Sequence, residues 1–128
     1  MTRSRRSAKE AGTRWESRII DFLHESGFPL AERRAKRGVL DAGDVSGLPG
    51  IVVEAKDRAA ITLAAFVAEA NAEALNAQAD VGVAWVKRIG KGSPADGYVV
   101  CDGAAFVRLL RRLHDAEHQL AQSKRGLL

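Results

Sequence analysis

The sequence predicts an α/β fold, a single domain with a small mixed central β-sheet flanked by helices. Segments with apolar residues at helical spacing alternate with short runs of β-branched residues, in the order α, β, β, β, α, β, β, α. The 128 residues suffice for one domain with its own core and are too few for two ordinary domains. A hydrophobic content of 46% is typical of a folded chain.

The helices are predicted from apolar residues that recur every three or four positions. The first helix begins at Gly12 and ends before Gly27, because glycine commonly lies just past a helix end. The second is Ala-rich, covers residues 61–79 and is interpreted as a packing element. The third covers residues 103–122.

The strands are predicted from β-branched residues and flanking turns. The clearest is IVVEAK, Ile51–Lys56, and others lie within residues 80–88 and 98–102. A short extended segment lies within residues 28–35. A further short strand around residues 44–46 leads through the turn SGLPG into IVVEAK.

The net charge is +4 and the isoelectric point about 9.6, which favours a polyanionic partner. We expect residues 1–11 to form a basic flexible tail, residues 12–118 the folded domain and residues 119–128 a polar, basic tail. The N-terminal tail has two interpretations, a solvated end or a segment that contacts phosphates. No apolar core of a signal peptide follows it.

Cys101 is the single cysteine of the sequence, so neither an intramolecular disulfide nor a cysteine-based zinc site is expected. A reducing, cytoplasmic setting is predicted. No apolar run approaches the roughly 20 residues that span a bilayer, so no membrane association is expected. The three histidines show no convincing pattern of metal ligands.

Charged residues within IVVEAK are the first indication of chemistry. Strand side chains alternate between faces, so Glu54 and Lys56 are neighbours on one face. A carboxylate there suits a hard cation, and the ammonium beside it suits a phosphate oxygen. The simpler interpretation is an exposed ion pair of little energetic value. If the segment at Asp44 pairs with IVVEAK as a hairpin, a second carboxylate reaches the same place; a turn-capping role is its alternative.

Glu16 is a third candidate. It lies three and four residues before Ile19 and Ile20, on the apolar stripe of the first helix, where a carboxylate is costly without a partner. A metal cluster would be such a partner. The alternative is a half-exposed glutamate in the first turns, favoured by the helix dipole.

The pattern Asp44-x9-Glu54-x-Lys56 after a helical Glu16 resembles the PD-(D/E)xK nuclease superfamily, and within it the small Holliday-junction resolvases of archaeal type and their phage relatives. The likeness extends from RWESRIIDFLHESGF to WVKR. It implies a restriction-endonuclease-like fold. The sequence departs from the family before Asp44, where Gly43 stands in place of the usual proline.

The resemblance implies that Asp44 and Glu54 hold one or two Mg²⁺ ions, for which Mn²⁺ can substitute, with the Ala55 carbonyl as a further ligand. Glu16 would assist directly or through water, and Lys56 would position or help activate the attacking water. The third acid stays open between Glu16 and Asp41. The basic residues nearest this site are the expected contacts to DNA phosphates: Arg33, Arg34, Lys36, Arg37, Lys87 and Arg88.

The predicted function is a Mg²⁺-dependent, structure-specific endonuclease that cuts branched DNA, four-way junctions above all, as a homodimer. The homodimer follows from the two-fold symmetry of such a junction. Another nuclease of the superfamily, such as a nicking enzyme, flap nuclease or exonuclease, is the first alternative. A catalytically inert DNA-binding module on the same fold is the second.

Overall fold

The computed structural model describes residues 3–34 and 42–127. Within them the chain forms three α-helices, a 3₁₀ turn and five strands. In chain order these are α1 (Arg5–Glu25), β1 (Glu32–Arg33), β2 (Val45–Ser46), β3 (Ile51–Lys56), α2 (Leu63–Asn76), β4 (Val81–Val86), the 3₁₀ turn (Pro94–Asp96), β5 (Tyr98–Val100) and α3 (Gly103–Gly126). The predicted α/β class and the order of elements are confirmed.

The strands form one mixed sheet in the order β1-β2-β3-β4-β5. The pairs β1/β2, β2/β3 and β4/β5 are antiparallel, and β3/β4 is parallel. A parallel pair requires a crossover connection, which α2 provides. The carboxyl ends of β3 and β4 therefore lie at the same edge of the sheet.

Helices cover both faces of the sheet. On one face, Trp15 and Ile19 of α1 pack against Val53 and Val83. On the other face, Phe66 of α2 packs against Ala84 and Val86, two residues of β4 whose side chains point to the same side of the sheet. Because side chains alternate along β3, the face that carries Glu54 and Lys56 lies beneath α2.

Two helix ends differ from the sequence prediction. Helix α1 begins at Arg5, well before the predicted start at Gly12, and the Ser4 hydroxyl caps it by accepting the Ser7 N–H at 3.1 Å. Basic residues without a long apolar stripe hid this first turn from the sequence pattern. Helix α3 continues to Gly126, and Lys124 and Arg125 in its last turn suit the negative end of the helix dipole.

None of the helices in the described part of the chain is both long enough and apolar enough to cross a membrane.

The closeness of α2 to the sheet provides a test of this packing. An added Cβ at Gly82 would lie 2.1 Å from the Ala70 carbonyl oxygen and 3.2 Å from the Ala74 Cβ. We predict that Gly82→Ala lowers the free energy of unfolding by about 1–3 kcal/mol, because α2 must move away from β4. Urea denaturation measures this loss of unfolding free energy.

Gly12→Ala is the matched control for that substitution. Its added Cβ would meet nothing within 4 Å among the described residues, and it lies inside α1. It should raise the free energy of unfolding by about 0.5–1 kcal/mol, since alanine favours a helix interior over glycine. A Gly82→Ala variant as stable as the wild type would contradict the close contact between α2 and β4.

Candidate functional site

Asp44 is fixed against β3 by backbone and side chain together. Its N–H donates to the Val53 carbonyl at 3.0 Å, and its carbonyl accepts the Arg34 N–H at 2.8 Å. Its Oδ2 accepts the Ala55 N–H at 2.8 Å. Val45 pairs with Val53 in the ladder, so the hairpin between Asp44 and IVVEAK forms as the sequence analysis supposed. The Asp44 carboxylate therefore lies beside the second half of β3.

Gly43 explains the missing proline before Asp44. Its φ is +95°, and an added Cβ would lie 2.3 Å from Cγ1 of Val52. Proline is locked near a φ of about −65° and cannot adopt this backbone. In this chain the residue before Asp44 is therefore a glycine whose backbone adopts the left-handed conformation and packs directly against β3.

Glu54 and Lys56 form a buried pair, with relative exposures of 6% and 2%. The Lys56 Nζ lies 3.3 Å from Glu54 Oε1 and also donates to Glu69 Oε2 of α2. It lies 5.5 Å from the centre of the Phe66 ring. The interpretation of this pair as an exposed surface ion pair is therefore wrong, because α2 covers it.

Two glutamates of α2 complete an acidic cluster that the sequence analysis missed. Carboxylate oxygens of Glu54, Glu69 and Glu73 all lie within 4.8 Å of one another. Glu73 is 2% exposed. The sequence did carry a signal, because Glu73 lies seven residues after Phe66 and three after Ala70, on the buried stripe of α2. The Ala-rich composition led to the interpretation of α2 as packing alone.

Burial raises the pKa of Glu54 to about 7, and the charges of Asp44 and Glu69 act in the same direction. A hydrogen bond with Glu73 and the charge of Lys56 oppose this rise. Burial alone would lower the pKa of Lys56, but the hydrogen bond to Glu69 and the charge of Glu54 hold it above its ordinary value. Lys56 is therefore an ammonium at neutral pH and can donate hydrogen bonds but not accept a proton.

A cleft of about 960 Å³ opens over these groups. Its acidic lining consists of Glu16, Asp44, Glu54 and Glu69. Its described basic lining consists of Arg5, Lys9, Arg33, Arg34 and Arg58. Glu73 is not among the described residues that line the cleft, so it lies behind the surface that a substrate would meet. The cleft thus combines acids able to hold a cation with arginine and lysine side chains able to hold phosphates.

The structure brings some of the predicted site residues together and separates others. Glu16 lines the cleft, and its Oε2 lies 3.4 Å from Nε of Arg33. In contrast, Lys87 and Arg88 are not among the described residues lining this cleft. Lys87 lines a second cleft beside α1, and Arg88 lies over the Tyr98 ring at 5.2 Å. The α1 helix separates Lys87 from the acidic cleft, and contact of Lys87 and Arg88 with DNA stays a prediction.

Three of the predicted positions fall outside the described residues. These are the phosphate contacts expected at Lys36 and Arg37, and Asp41 as the alternative third acid.

The donor set fits a hard divalent cation. Glu54 Oε2 is buried and receives no nitrogen or hydroxyl donor from the described residues. Asp44 uses Oδ2 for the Ala55 N–H, which leaves its other oxygen as a ligand. Mg²⁺ takes carboxylate oxygens, keeps several waters and needs few protein ligands. Asp44 and Glu54 are the pair that both lines the cleft and offers such oxygens.

Comparison of the chain with protein-family models, with curated proteins and with solved structures finds no match. The resemblance to PD-(D/E)xK nucleases therefore rests on the residues and their arrangement alone.

The raised pKa of Glu54 predicts a pH dependence of stability in the metal-free protein. Between the ordinary glutamate pKa of 4.5 and about 7, the folded state binds more protons at Glu54 than the unfolded state. The free energy of unfolding therefore falls as pH rises through this window and is level above it. We expect this contribution to reach about 1–3 kcal/mol. Chemical denaturation in EDTA at a series of pH values measures it.

Glu54→Gln removes this titration. Relative to the wild type, it should gain stability as pH rises from 4.5 to about 7. Glu117→Gln, at an exposed position of α3, is the matched control and should follow the wild type. Parallel stability curves for the wild type and Glu54→Gln across this window would contradict a raised pKa.

Proposed function

We propose that this protein is a Mg²⁺-dependent endonuclease that hydrolyses phosphodiester bonds in branched DNA, with four-way junctions as the first candidate substrate. One observation carries the proposal. The carboxylates of Asp44 and Glu54 line one cleft that also carries basic residues, and the ammonium of Lys56 lies 3.3 Å from Glu54 Oε1. This is the combination that phosphoryl transfer requires, a cation site beside held phosphates.

The basic lining supports a polyanionic substrate. Among the described residues, Arg5, Lys9, Arg34 and Arg58 form no ion pair, although each lines the cleft. Arg33 is different because it is paired with Glu16. Unpaired arginine and lysine side chains bind backbone phosphates through charge and give affinity without reading sequence. They therefore suit a substrate that is recognised by its shape.

Asp44 and Glu54 are the residues that would hold the Mg²⁺ ion, with the Ala55 carbonyl as the expected third ligand. When bound, the ion supplies Lewis acidity toward the scissile phosphate and lowers the pKa of a bound water. Lys56 cannot take the proton of that water, because its raised pKa keeps it charged. Its ammonium does not line the cleft, so it would instead act through its positive charge from beside Glu54. Glu69 holds that ammonium in place, and Arg34, unpaired among the described residues, would hold a flanking phosphate, joined by Arg33 if it exchanged Glu16 for a phosphate.

The preference for branched DNA comes from the resemblance to junction resolvases, whereas the proposed cytoplasmic setting rests on the single cysteine, Cys101. A four-way junction has two symmetry-related cutting positions, which a homodimer would match. Exposed Phe106, Leu113 and Leu120 on α3 support a homodimer. An antiparallel pairing of two α3 helices about Leu113 would place Phe106 opposite Leu120. Sedimentation velocity measures the oligomeric state.

A DNA-binding module without catalysis is the second candidate. The observation in its favour is that Lys56 is already paired with Glu54 and Glu69. The Glu73 side chain also forms a hydrogen bond with Glu54. A site whose groups satisfy one another can persist as a buried structural network.

The cleavage test compares the wild type, Glu54→Gln and the control Glu117→Gln on labelled four-way junction, duplex, flap and single-stranded DNA. With Mg²⁺ we expect paired, symmetric nicks in the junction, which are lost in EDTA. Glu54→Gln should cut at least about 10²–10³-fold more slowly, because the site loses one of its two proposed metal-binding carboxylates. The control should cut like the wild type.

Each other result changes the assignment. Metal-dependent cutting of flaps or ends would keep the metal site and assign a different nuclease. Binding of DNA without cutting, with Mg²⁺ and with Mn²⁺, would favour the inert module. Equal cutting by the wild type and Glu54→Gln would exclude the proposed site.

Glu69 is proposed as a positioning residue that acts through Lys56. We predict that Glu69→Gln lowers the single-turnover cleavage rate by about 10–100-fold without weakening DNA affinity in EDTA. The physical reason is that Lys56 loses its closest carboxylate. A merely structural role would instead lower the thermal stability and leave the rate per folded molecule unchanged. Glu69→Asp should recover part of the rate.

A further inference from the structure

A second cleft lies on the other side of α1. Its volume is about 350 Å³, and Trp15 of the core lies at its base. Four basic side chains line it, together with one carboxylate, that of Asp57. The basic residues are Arg3, Arg14, Arg18 and Lys87.

Within the described part of the chain, only one of the four basic side chains in this second cleft forms an ion pair. Arg3 neutralises Asp57, with an ion pair of 2.9 Å and a hydrogen bond of 2.8 Å to the Asp57 carbonyl. Arg14 forms no hydrogen bond or ion pair among the described residues. Arg18 and Lys87 reach only backbone carbonyl oxygens, those of Gly92 at 3.4 Å and Arg88 at 3.5 Å. Three positive charges are therefore available to an anion.

The two clefts share one wall, the first half of α1. Lys9 and Thr13 face the acidic cleft, whereas Ser7 and Arg14 face the second cleft. The two residues that follow β3 also face different clefts. Asp57 lines the second cleft, and Arg58 lines the acidic cleft. An α-helix with its side chains is about 10–12 Å across. One nucleic acid molecule can therefore reach both clefts at once.

We propose that this second cleft is a phosphate-binding subsite that holds the backbone of the nucleic acid where it crosses α1, away from the acidic site. The inference rests on the proposed nuclease function and adds the path of the substrate. Arginine donates several N–H groups in a planar fork that matches phosphate oxygens. Arg14 and Arg18 enter the cleft from α1, and Lys87 enters from the end of β4. Phosphates are therefore approached from two sides.

The test measures how DNA affinity depends on salt in EDTA, where no cutting competes with binding. The variants are Arg14→Ala, the double variant Arg14→Ala/Lys87→Ala, and the control Arg111→Ala/Arg125→Ala on exposed α3 positions, which removes the same net charge. Each lost phosphate contact should make the slope of log K against log salt shallower by about 0.9 on duplex arms. We expect a change of about 0.9 for Arg14→Ala, about twice that for the double variant, and none for the control.

Equal slopes in all variants would overturn the subsite while leaving DNA binding and cutting by the wild type intact. The same change in the control would assign the effect to net charge and would also overturn it. Absence of DNA binding by the wild type would overturn the subsite and the proposed function together. A phosphate complex seen by calorimetry with inorganic phosphate, lost in Arg14→Ala but with unchanged DNA slopes, would assign the cleft to a free anion instead. Arg14 is exposed, so Arg14→Ala should keep the fold. This single variant therefore tests the subsite even if the double variant unfolds.

Discussion

The burial of a lysine and a glutamate between β3 and α2 is the constraint on which the rest of this structure depends. A buried ammonium or carboxylate is costly unless partners surround it. Lys56 has Glu54 and Glu69, and Glu54 has Glu73 as well. Two of these partners come from α2, so the helix must lie close to the sheet. The same contacts that satisfy the buried charges also set the geometry of the candidate site.

The sequence was sufficient where one residue type decided the local structure. IVVEAK is β-branched, and its strand matches the predicted bounds, Ile51–Lys56. Asp44 was placed beside it by a hairpin argument, and the ladder confirms that pairing. The acids of α2 were not found because a helix dominated by alanine gives a weak amphipathic pattern. Finding Glu69 required knowledge of which side of β3 the helix covers, and a strand's alternation shows two faces without assigning neighbours to them.

The raised pKa values of Glu54 and Lys56 have opposite consequences for chemistry. A carboxyl group with a pKa near 7 is partly protonated at neutral pH, and a divalent cation that binds it displaces this proton to solvent. An ammonium held by two carboxylates stays charged and is unsuitable as a base. In the proposed nuclease, Asp44 and Glu54 would hold the ion that supplies water activation, and Lys56 would act through its charge.

The helical start of the chain changes how its basic residues would act. A disordered basic tail must be ordered when it binds, which costs affinity. In this protein the residues from Arg5 onward already belong to α1. Their helical spacing places Lys9 in the lining of the acidic cleft and Arg14 in the lining of the second cleft. Binding groups held in place before the substrate arrives lose less entropy on association. The first half of α1 is therefore better described as a preformed wall between the two proposed anion-binding clefts than as a disordered tail.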